Sequence, residues 1–480
     1  PSPYWGDLLA RYQPQIIKSL ATAGFDTRGV DTYEKVLLGR PYLNLNLLKR
    51  MAAQLGLTLP VGTPPAGVVE LSLASKVNWQ TVWQARTILR SGWQTARKGQ
   101  ELFHETRRQI EPIIAGLHSV VEAGAESSSI QLRQQIVLFQ HIAVTRLRLN
   151  LAILLVSLGT RQTTGLTVPQ ILTTVGRTVD PESTEFDHAL DRLVNLVRDS
   201  ERLQSFLADS GTLQSFTCQV DIPPDLQQQL DELAGLFAAY GDYPADPGQP
   251  RYKEAPNTLL ALLNRRMQAA ASPAPAPDPP IRPGGWRHTL ARFLITNLRQ
   301  LLLLRSNLEQ LNIRGMAACR HWGLGLGQQW LGQGWLAQAD DIFWLTLDEI
   351  EQVLVAGQSK AVTLSATVKT RQENYVAYQD MQPPAMLRED NLAAVQFGGD
   401  AALDAAASVV VGLPVSPGQV RGIVVVLDQP HEPPLEMDEF ILVMPSTGPD
   451  WLPLLHRAAG LIVETGGLLS HGSVIAREYE

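Results

Sequence analysis

Cysteine is almost missing from this chain: Cys218 and Cys319 are the only two in 480 residues. Two thiols build no disulfide framework, and their scarcity fits a reducing cytoplasm. Blocks of lysine or arginine are missing as well. The formal net charge is −7, from 40 basic and 47 acidic side chains. No run of cations forms a basic stripe along the sequence, so nucleic acid is not an expected partner. The longest apolar run, Leu151–Val156 within Leu149–Leu158, falls short of the ~20 residues that a membrane span needs. No membrane partner is expected, and no signal peptide precedes the first helix. There is no Walker-type loop. Histidines such as His321 and His456 lack metal-ligand spacing and read as structural or exposed, so no metal is expected on this chain.

What is there exceeds one core: 480 residues imply two to four domains. The chain opens on Pro1 rather than Met and reads as a fragment. From Tyr4 to about Tyr240 the pattern is helical. Trp79 and Trp83, with Trp93 further along, have the spacing of a buried helix face. An aromatic box for a flat ligand is the sharper alternative, and core packing is the commoner outcome. Leu190, Leu193, Val194 and Val197 alternate with Asp191, Arg192, Asn195 and Arg198, as an amphipathic helix does. Tyr240–Pro256 is a proline-rich, turn-rich crossing, and residues 271–285 form a Pro/Ala-rich linker.

Helical periodicity resumes from Trp286 through Leu311, where Leu301–Leu304 between Arg299 and Arg305 suits a bundle core. Gly323, Gly325 and Gly327 spell GLGLG. A phosphate-cradling loop lacks the strand before it and the Gly-Lys-Ser/Thr after it, so a turn at a helix end is expected. Thr346 is placed to cap a short helix. Gly398–Ser408 is small and uncommitted, which makes a hinge. Beyond it Val409–Val411, Arg421–Leu427, Phe440–Met444 and Leu461–Val463 read as strands, with a helix over Trp451–Arg457 capped by Asp450. This is a βαβ arrangement with parallel strands and a right-handed crossover.

The last stretch, Glu464–Glu478, carries the chemistry. An apolar strand runs into Gly466 and Gly467, which admit close backbone approach to a ligand. Ser470 is an N-cap, and His471 falls at the start of the following helix. There, unpaired N–H groups and the positive end of the helix dipole favour an anion such as a phosphoryl group. Imidazole, with an ordinary pKa of about 6.5, is a competent nucleophile near neutrality. The bland alternative is a capped turn with a surface histidine. Ser470 and Ser473 are candidate hydroxyl donors to a phosphoryl oxygen. Arg477 either neutralises that group or pairs with a neighbouring carboxylate.

Gly466, Gly467, Ser470, His471, Gly472, Val474, Ile475, Ala476 and Arg477 resemble the phosphohistidine motif of the PEP-utilising enzymes: pyruvate phosphate dikinase, PEP synthase and rifampin phosphotransferase. Further likenesses are GRPYLNL at Gly39–Leu45, ADDIFWLTLDE at Ala339–Glu349, Pro383-Pro384, and Gly412–Gly418 with its Ser-Pro-Gly. The crossing departs from the pattern, because Asp242 and Tyr243 stand where relatives carry His and Arg. The resemblance implies that His471 is a phosphocarrier, with Gly466, Gly467, Ser470, Gly472, Ser473 and Arg477 around the phosphate. ATP and Mg2+ would be bound not by this chain but by an upstream ATP-grasp domain, in the same or a neighbouring chain, and the acceptor would be a small molecule.

The expected fold is multi-domain: a large all-α N-terminal region followed by a small layered β/α phosphohistidine swivelling domain, incomplete at its C-terminus. The expected boundaries are a helical, acceptor-binding domain over 1–270, the linker, a second helical segment over 286–397, the hinge over 398–408, and the swivelling domain over 409–480. The order of parts, with a long helical region before the histidine, favours transfer of the rifampin phosphotransferase kind. PEP synthase- or dikinase-like exchange between ATP and pyruvate or PEP is the alternative within the same chemistry. A non-catalytic helical scaffold with a relic histidine domain is the alternative outside it.

Overall fold

The computed structural model describes residues 2–37, 40–58, 72–73, 79–118, 125–166, 246–249, 285–361, 363–379, 419–427, 440–444 and 457–464. Single positions at 171, 175, 192, 194, 195, 198, 251, 451 and 454 are described between them. α1 (Pro3–Ala23) begins at Ser2, whose hydroxyl accepts from the Trp5 amide at 3.3 Å. It ends at Gly24, where a φ of 103° turns the next amides back onto the carbonyls of Ala21 and Leu20.

The region after α1 is not purely helical. β1 (Glu34–Leu37) and β2 (Arg40–Leu43) form an antiparallel hairpin with Glu34 opposite Leu43. The Gln13 side chain of α1 pins this hairpin by accepting from the Tyr33 and Glu34 amides at 2.9 and 3.1 Å. This long-range anchor leaves no trace in local periodicity. Of the Gly39–Leu45 stretch, the described residues from Arg40 on are thus strand β2 followed by the cap of α2 (Leu45–Gln54), with Asn44 accepting from the Leu47 amide at 3.1 Å. β3 (Leu57–Thr58) and β4 (Ser72–Leu73) add a two-residue antiparallel pairing.

Three long helices carry the core: α3 (Trp79–His118), α4 (Ala125–Thr164) and α5 (Trp286–Gly332). Gly92 of α3 faces Leu151 and Leu155 of α4, Gly99 faces Leu149 and Leu304, Gly159 faces Leu294, and Gly315 faces Leu138. The first thirds of α3 and α5 therefore lie beside the last third of α4, and both helices run antiparallel to it. Leu298, Leu301, Leu308 and Trp322 of α5 are buried with Ile110, Leu138, Leu149 and Ala152. The Leu301–Leu304 expectation is met, but the helix runs on to Gly332 rather than stopping near Leu311. An 18-residue window of α4 has a mean hydropathy of 1.6, long and apolar enough to cross a membrane by length and composition. Its Leu149, Ala152, Ile153 and Val156 are buried against the neighbouring helices.

Two expectations are overturned. Trp93 is 45% exposed and leans on Phe293, itself 49% exposed, with ring centroids 6.4 Å apart. The buried face of α3 is instead Ala85, Ile88, Phe103 and Ile110. The Trp79 and Trp83 side chains lie outside the described residues. GLGLG is no helix-end turn either. All three glycines sit inside α5, and Gly323 and Gly327 face a 3-10 helix (Ala339–Trp344) that presses Phe343 and the Ala339 carbonyl against them. Side chains one turn apart share a face, so omitting them at 323 and 327 opens a slot for that short helix.

That segment is strongly held. The Asp341 carboxylate accepts from the Ala337 and Gln338 amides at 3.1 and 2.9 Å. Arg320, 1% exposed, donates to Asp340 at 3.2 Å and to the Pro247 carbonyl at 3.0 Å, with its guanidinium 5.1 Å over Phe343. Pro247 belongs to a turn over 246–249, where Asp246 accepts from the Ser2 amide and hydroxyl, both at 2.6 Å. The described part of the proline-rich crossing is thus a turn clasped between α1 and α5.

α6 (Leu347–Ala356) opens with a reciprocal cap. Glu349 N–H donates to Thr346 Oγ1 at 3.3 Å, and Thr346 N–H donates to Glu349 Oε2 at 2.8 Å. Burial works to raise the Glu349 pKa, but two hydrogen bonds from Arg371, at 2.7 and 2.9 Å, hold it below the usual range. Thr346→Ala is expected to lower stability by ~1 kcal/mol, the usual value of an N-cap. Urea unfolding checks this, and an unchanged midpoint would show that Glu349 and Arg371 hold the helix start without the cap. α7 (Gln358–Ala361) and α8 (Leu364–Gln379) complete the described helices, with Arg371 on α8. Val194 is buried while Arg192, Asn195 and Arg198 are exposed, as the spacing over 190–198 requires.

The described strands near the C-terminus form one parallel sheet, in the order β5 (Val424–Val426), β6 (Phe440–Met444), β7 (Ala458–Val463). The protein is thus mostly helical with a small sheet unit near its C-terminal end. Strand β5 is shorter than Arg421–Leu427, and β7 starts earlier than Leu461. Segments 271–284, 398–408, 409–418, Asp242, Tyr243, Pro383, Pro384 and Asp450 lie outside the described residues.

Candidate functional site

Strand β6 fixes the frame of the C-terminal unit. Its residues alternate, with Phe440, Leu442 and Met444 each no more than 1% exposed. Leu427, Trp451 and Leu454 are buried as well, and the alternation is that of a sheet with one covered face. On one side Val424–Val426 pair with Ile441–Val443, and on the other Gly460–Val463 pair with Ile441–Met444. Because all three strands are parallel, their carboxyl ends lie along one edge. The ladder closes there with Leu427 N–H on the Val443 carbonyl at 2.9 Å and Glu464 N–H on the Met444 carbonyl at 3.0 Å.

Glu464 is where the described chain stops, two residues before the paired glycines. Gly466, Gly467, Ser470, His471, Gly472, Ser473 and Arg477 all lie outside the described residues. What is placed is the strand that delivers them: β7 hands the chain over at the carboxyl edge of a parallel sheet. In open α/β sheets that edge is where ligands sit, because strand-to-helix loops and helix N-termini gather there.

Elsewhere the structure joins residues that the sequence keeps apart. His118, at the end of α3, and His321, on α5, have ring centroids 5.2 Å apart. Their separation of about 200 positions hides this from any spacing rule. Among the described residues no three His, Cys, Asp or Glu side chains converge to hold a metal ion. Cys319 is fully buried, and burial pushes its thiol pKa far above the usual range. The buried Arg320, with its Asp340 and Pro247 partners, was also not foreseen. A lone arginine one turn from GLGLG is the only local trace of it.

Residues 436–480 match the family described as PEP-utilising enzyme, mobile domain. A rifampicin phosphotransferase of Streptomyces sviceus is 39% identical over 146 residues, 30% of this chain and 16% of that protein. One of Bacillus subtilis is 34% identical over 152 residues, 32% of this chain and 17% of that protein. A probable phosphoenolpyruvate synthase of Staphylothermus marinus is 39% identical over 80 residues, 16% of this chain and 9% of that protein. The chain thus spans under a fifth of the length of each of these relatives. Residues 436–480 are thus similar to the mobile domain of the PEP-utilising enzymes, and the chain is similar over part of its length to rifampicin phosphotransferases and to a probable phosphoenolpyruvate synthase.

Proposed function

We propose that this chain is the carrier and acceptor part of an ATP-dependent phosphotransferase, with His471 as the group that bears the phosphoryl. The observation that carries the reading is strand β7. It runs parallel to β6 and ends at the carboxyl edge of the sheet, a few residues before Gly466, Gly467, Ser470 and His471 in the sequence. At such an edge a helix start offers N–H groups to an anion, and the glycines leave room for it. The Ser470 and Ser473 hydroxyls donate to the phosphoryl oxygens, and Gly472 keeps the space beside the imidazole open. Arg477 either neutralises the phosphoryl charge or pairs with a carboxylate nearby.

ATP and Mg2+ belong on an ATP-grasp domain in the same or a neighbouring chain. The imidazole attacks the β-phosphorus, AMP leaves, water takes the γ-phosphoryl as inorganic phosphate, and the β-phosphoryl stays on His471. Gly398–Ser408 is the hinge on which the domain over 409–480 turns to a small-molecule acceptor at the helical region. Exchange with pyruvate or PEP is the second reading, favoured by the likeness to a phosphoenolpyruvate synthase. We place the protein in the cytoplasm.

The test is to incubate the protein, together with its ATP-grasp domain, with ATP labelled on the β-phosphate. Label stable in alkali and lost in acid is the expected result, because a phosphoramidate P–N bond breaks once its nitrogen is protonated. Label that is stable in acid would place the phosphoryl on a hydroxyl and end the reading.

A further inference from the structure

Spacing along the chain offers no metal-ligand pattern, but the fold makes one pair of histidines. His118 lies in the last turn of α3 and His321 in the last third of α5. Their ring centroids are 5.2 Å apart and their planes are tilted by 43°, which separates the pair from a parallel stack. Both side chains are exposed, so solutes reach them. The backbone beneath them is anchored. Leu117 and Trp322, the immediate neighbours of the two histidines, are fully buried. Gln131 of α4 ties the two helices together at this point. Its amide nitrogen donates to the Gly116 carbonyl at 3.2 Å, and its oxygen accepts from the Trp322 indole N–H at 3.1 Å. Two imidazoles on separate helices are thus held at a set separation by the core below them.

That separation is the one a tetrahedral metal ion requires. Zinc lies ~2.0–2.1 Å from an imidazole nitrogen, which puts each ring centre ~3.2 Å from the metal. Two rings at the tetrahedral angle then have centres ~5.2 Å apart, whereas two at the right angle of an octahedral site have centres ~4.5 Å apart. The observed 5.2 Å matches the first. The position of His118 adds to this, because the carbonyl end of a helix favours positive charge.

We propose that His118 and His321 form a two-histidine site for a divalent transition-metal ion of the zinc type, which clamps the end of α3 to α5. With two protein ligands, the remaining coordination positions are open to water or to a bound solute. Imidazole nitrogen selects ions such as Zn2+, Ni2+ and Cu2+, whereas Mg2+ takes oxygen ligands. The site is therefore chemically separate from the Mg2+ that accompanies ATP. It goes beyond the carrier reading of His471 and does not depend on it.

The experiment uses the full chain, stripped of metal with a chelator, and titrates Zn2+ into it by calorimetry. Saturable binding is expected, with a rise in the thermal unfolding midpoint as Zn2+ is added, because an ion that binds the folded chain stabilises it. His118→Gln and His321→Gln are each expected to weaken that binding roughly tenfold or more, since each removes half of the protein ligands, and to abolish the thermal shift. His104→Gln, at an exposed histidine elsewhere on α3, is expected to change neither. All three side chains are exposed, so the variants should unfold like the parent when Zn2+ is absent. Co2+ in place of Zn2+ reports the geometry, because a tetrahedral complex absorbs visible light far more strongly than an octahedral one. Strong absorption that both substitutions remove is the expected result. The proposal is overturned if no saturable binding is found, or if binding survives either substitution at full strength. An equal loss in His104→Gln, or a weak octahedral Co2+ spectrum, overturns it as well. None of these readouts needs ATP, so a failure here leaves the labelling of His471 untouched.

Discussion

His471→Asn is expected to abolish both the alkali-stable label from β-labelled ATP and overall transfer to the acceptor, with folding left intact. Labelling requires a nitrogen lone pair free to attack phosphorus. Imidazole has one near neutral pH, whereas the amide nitrogen of asparagine has its lone pair delocalised into the carbonyl. The side chains are of similar reach, and asparagine is well accepted around helix starts, so the expected change in stability is small. The effect on rate is not small: without the carrier nitrogen there is no intermediate to transfer. Ser470→Ala is the graded control. It weakens the helix start by ~1 kcal/mol and removes one hydroxyl from the phosphoryl site, so labelling is expected to slow but persist. Thermal unfolding of the two variants separates chemistry from folding. Label retained in folded His471→Asn protein would put the phosphoryl group on another residue and remove the basis of the proposed mechanism.

The proposed chemistry is read from a local motif: Gly466, Gly467, Ser470 and His471 follow strand β7 within a few residues, and all four lie outside the described residues. Strand β6 over 440–444 is readable as a short apolar run, whereas β5 is shorter than Arg421–Leu427 and β7 begins at Ala458, ahead of the Leu461–Val463 that the sequence marks. The Thr346–Glu349 cap is legible because it is local. Where sequence reading fails, the cause lies far away along the chain. Gln13 holds the hairpin at Tyr33 and Glu34, so a helical pattern there yields to a sheet. Trp93 has helical spacing, yet it faces out beside Phe293, 200 positions away.

GLGLG is the sharpest of these cases, and it yields a test with opposite signs at two neighbouring glycines. Gly327→Ala is expected to destabilise the protein by about 2 kcal/mol, whereas Gly325→Ala is expected to stabilise it by up to ~1 kcal/mol. Both changes remove the entropy cost of glycine in a helix, a gain of roughly 1 kcal/mol where nothing opposes it. At Gly325 nothing lies within 4 Å of an added Cβ. At Gly327 the Cβ would stand 2.1 Å from the Ala339 carbonyl oxygen and 2.9 Å from its carbon. That neighbour is backbone and has no rotamer by which to move aside. Its segment is tied down by Asp341 on the Ala337 and Gln338 amides and by Arg320 on Asp340. Relief therefore means shifting the whole 3-10 helix away from α5, which breaks those bonds and lifts Phe343 from the core. Overpacking of this kind costs about 1–3 kcal/mol, and a rigid neighbour puts Gly327 at the upper end, so the helix-propensity gain is outweighed. Gly323→Ala should fall between the two. Its Cβ would meet the Phe343 ring at 2.7 Å, and a side chain can tilt where a backbone cannot. Urea unfolding of the three variants gives the order directly. If Gly327→Ala proved as stable as Gly325→Ala, the 3-10 helix would not be seated against α5 as described, and the glycine slot would have no packing role.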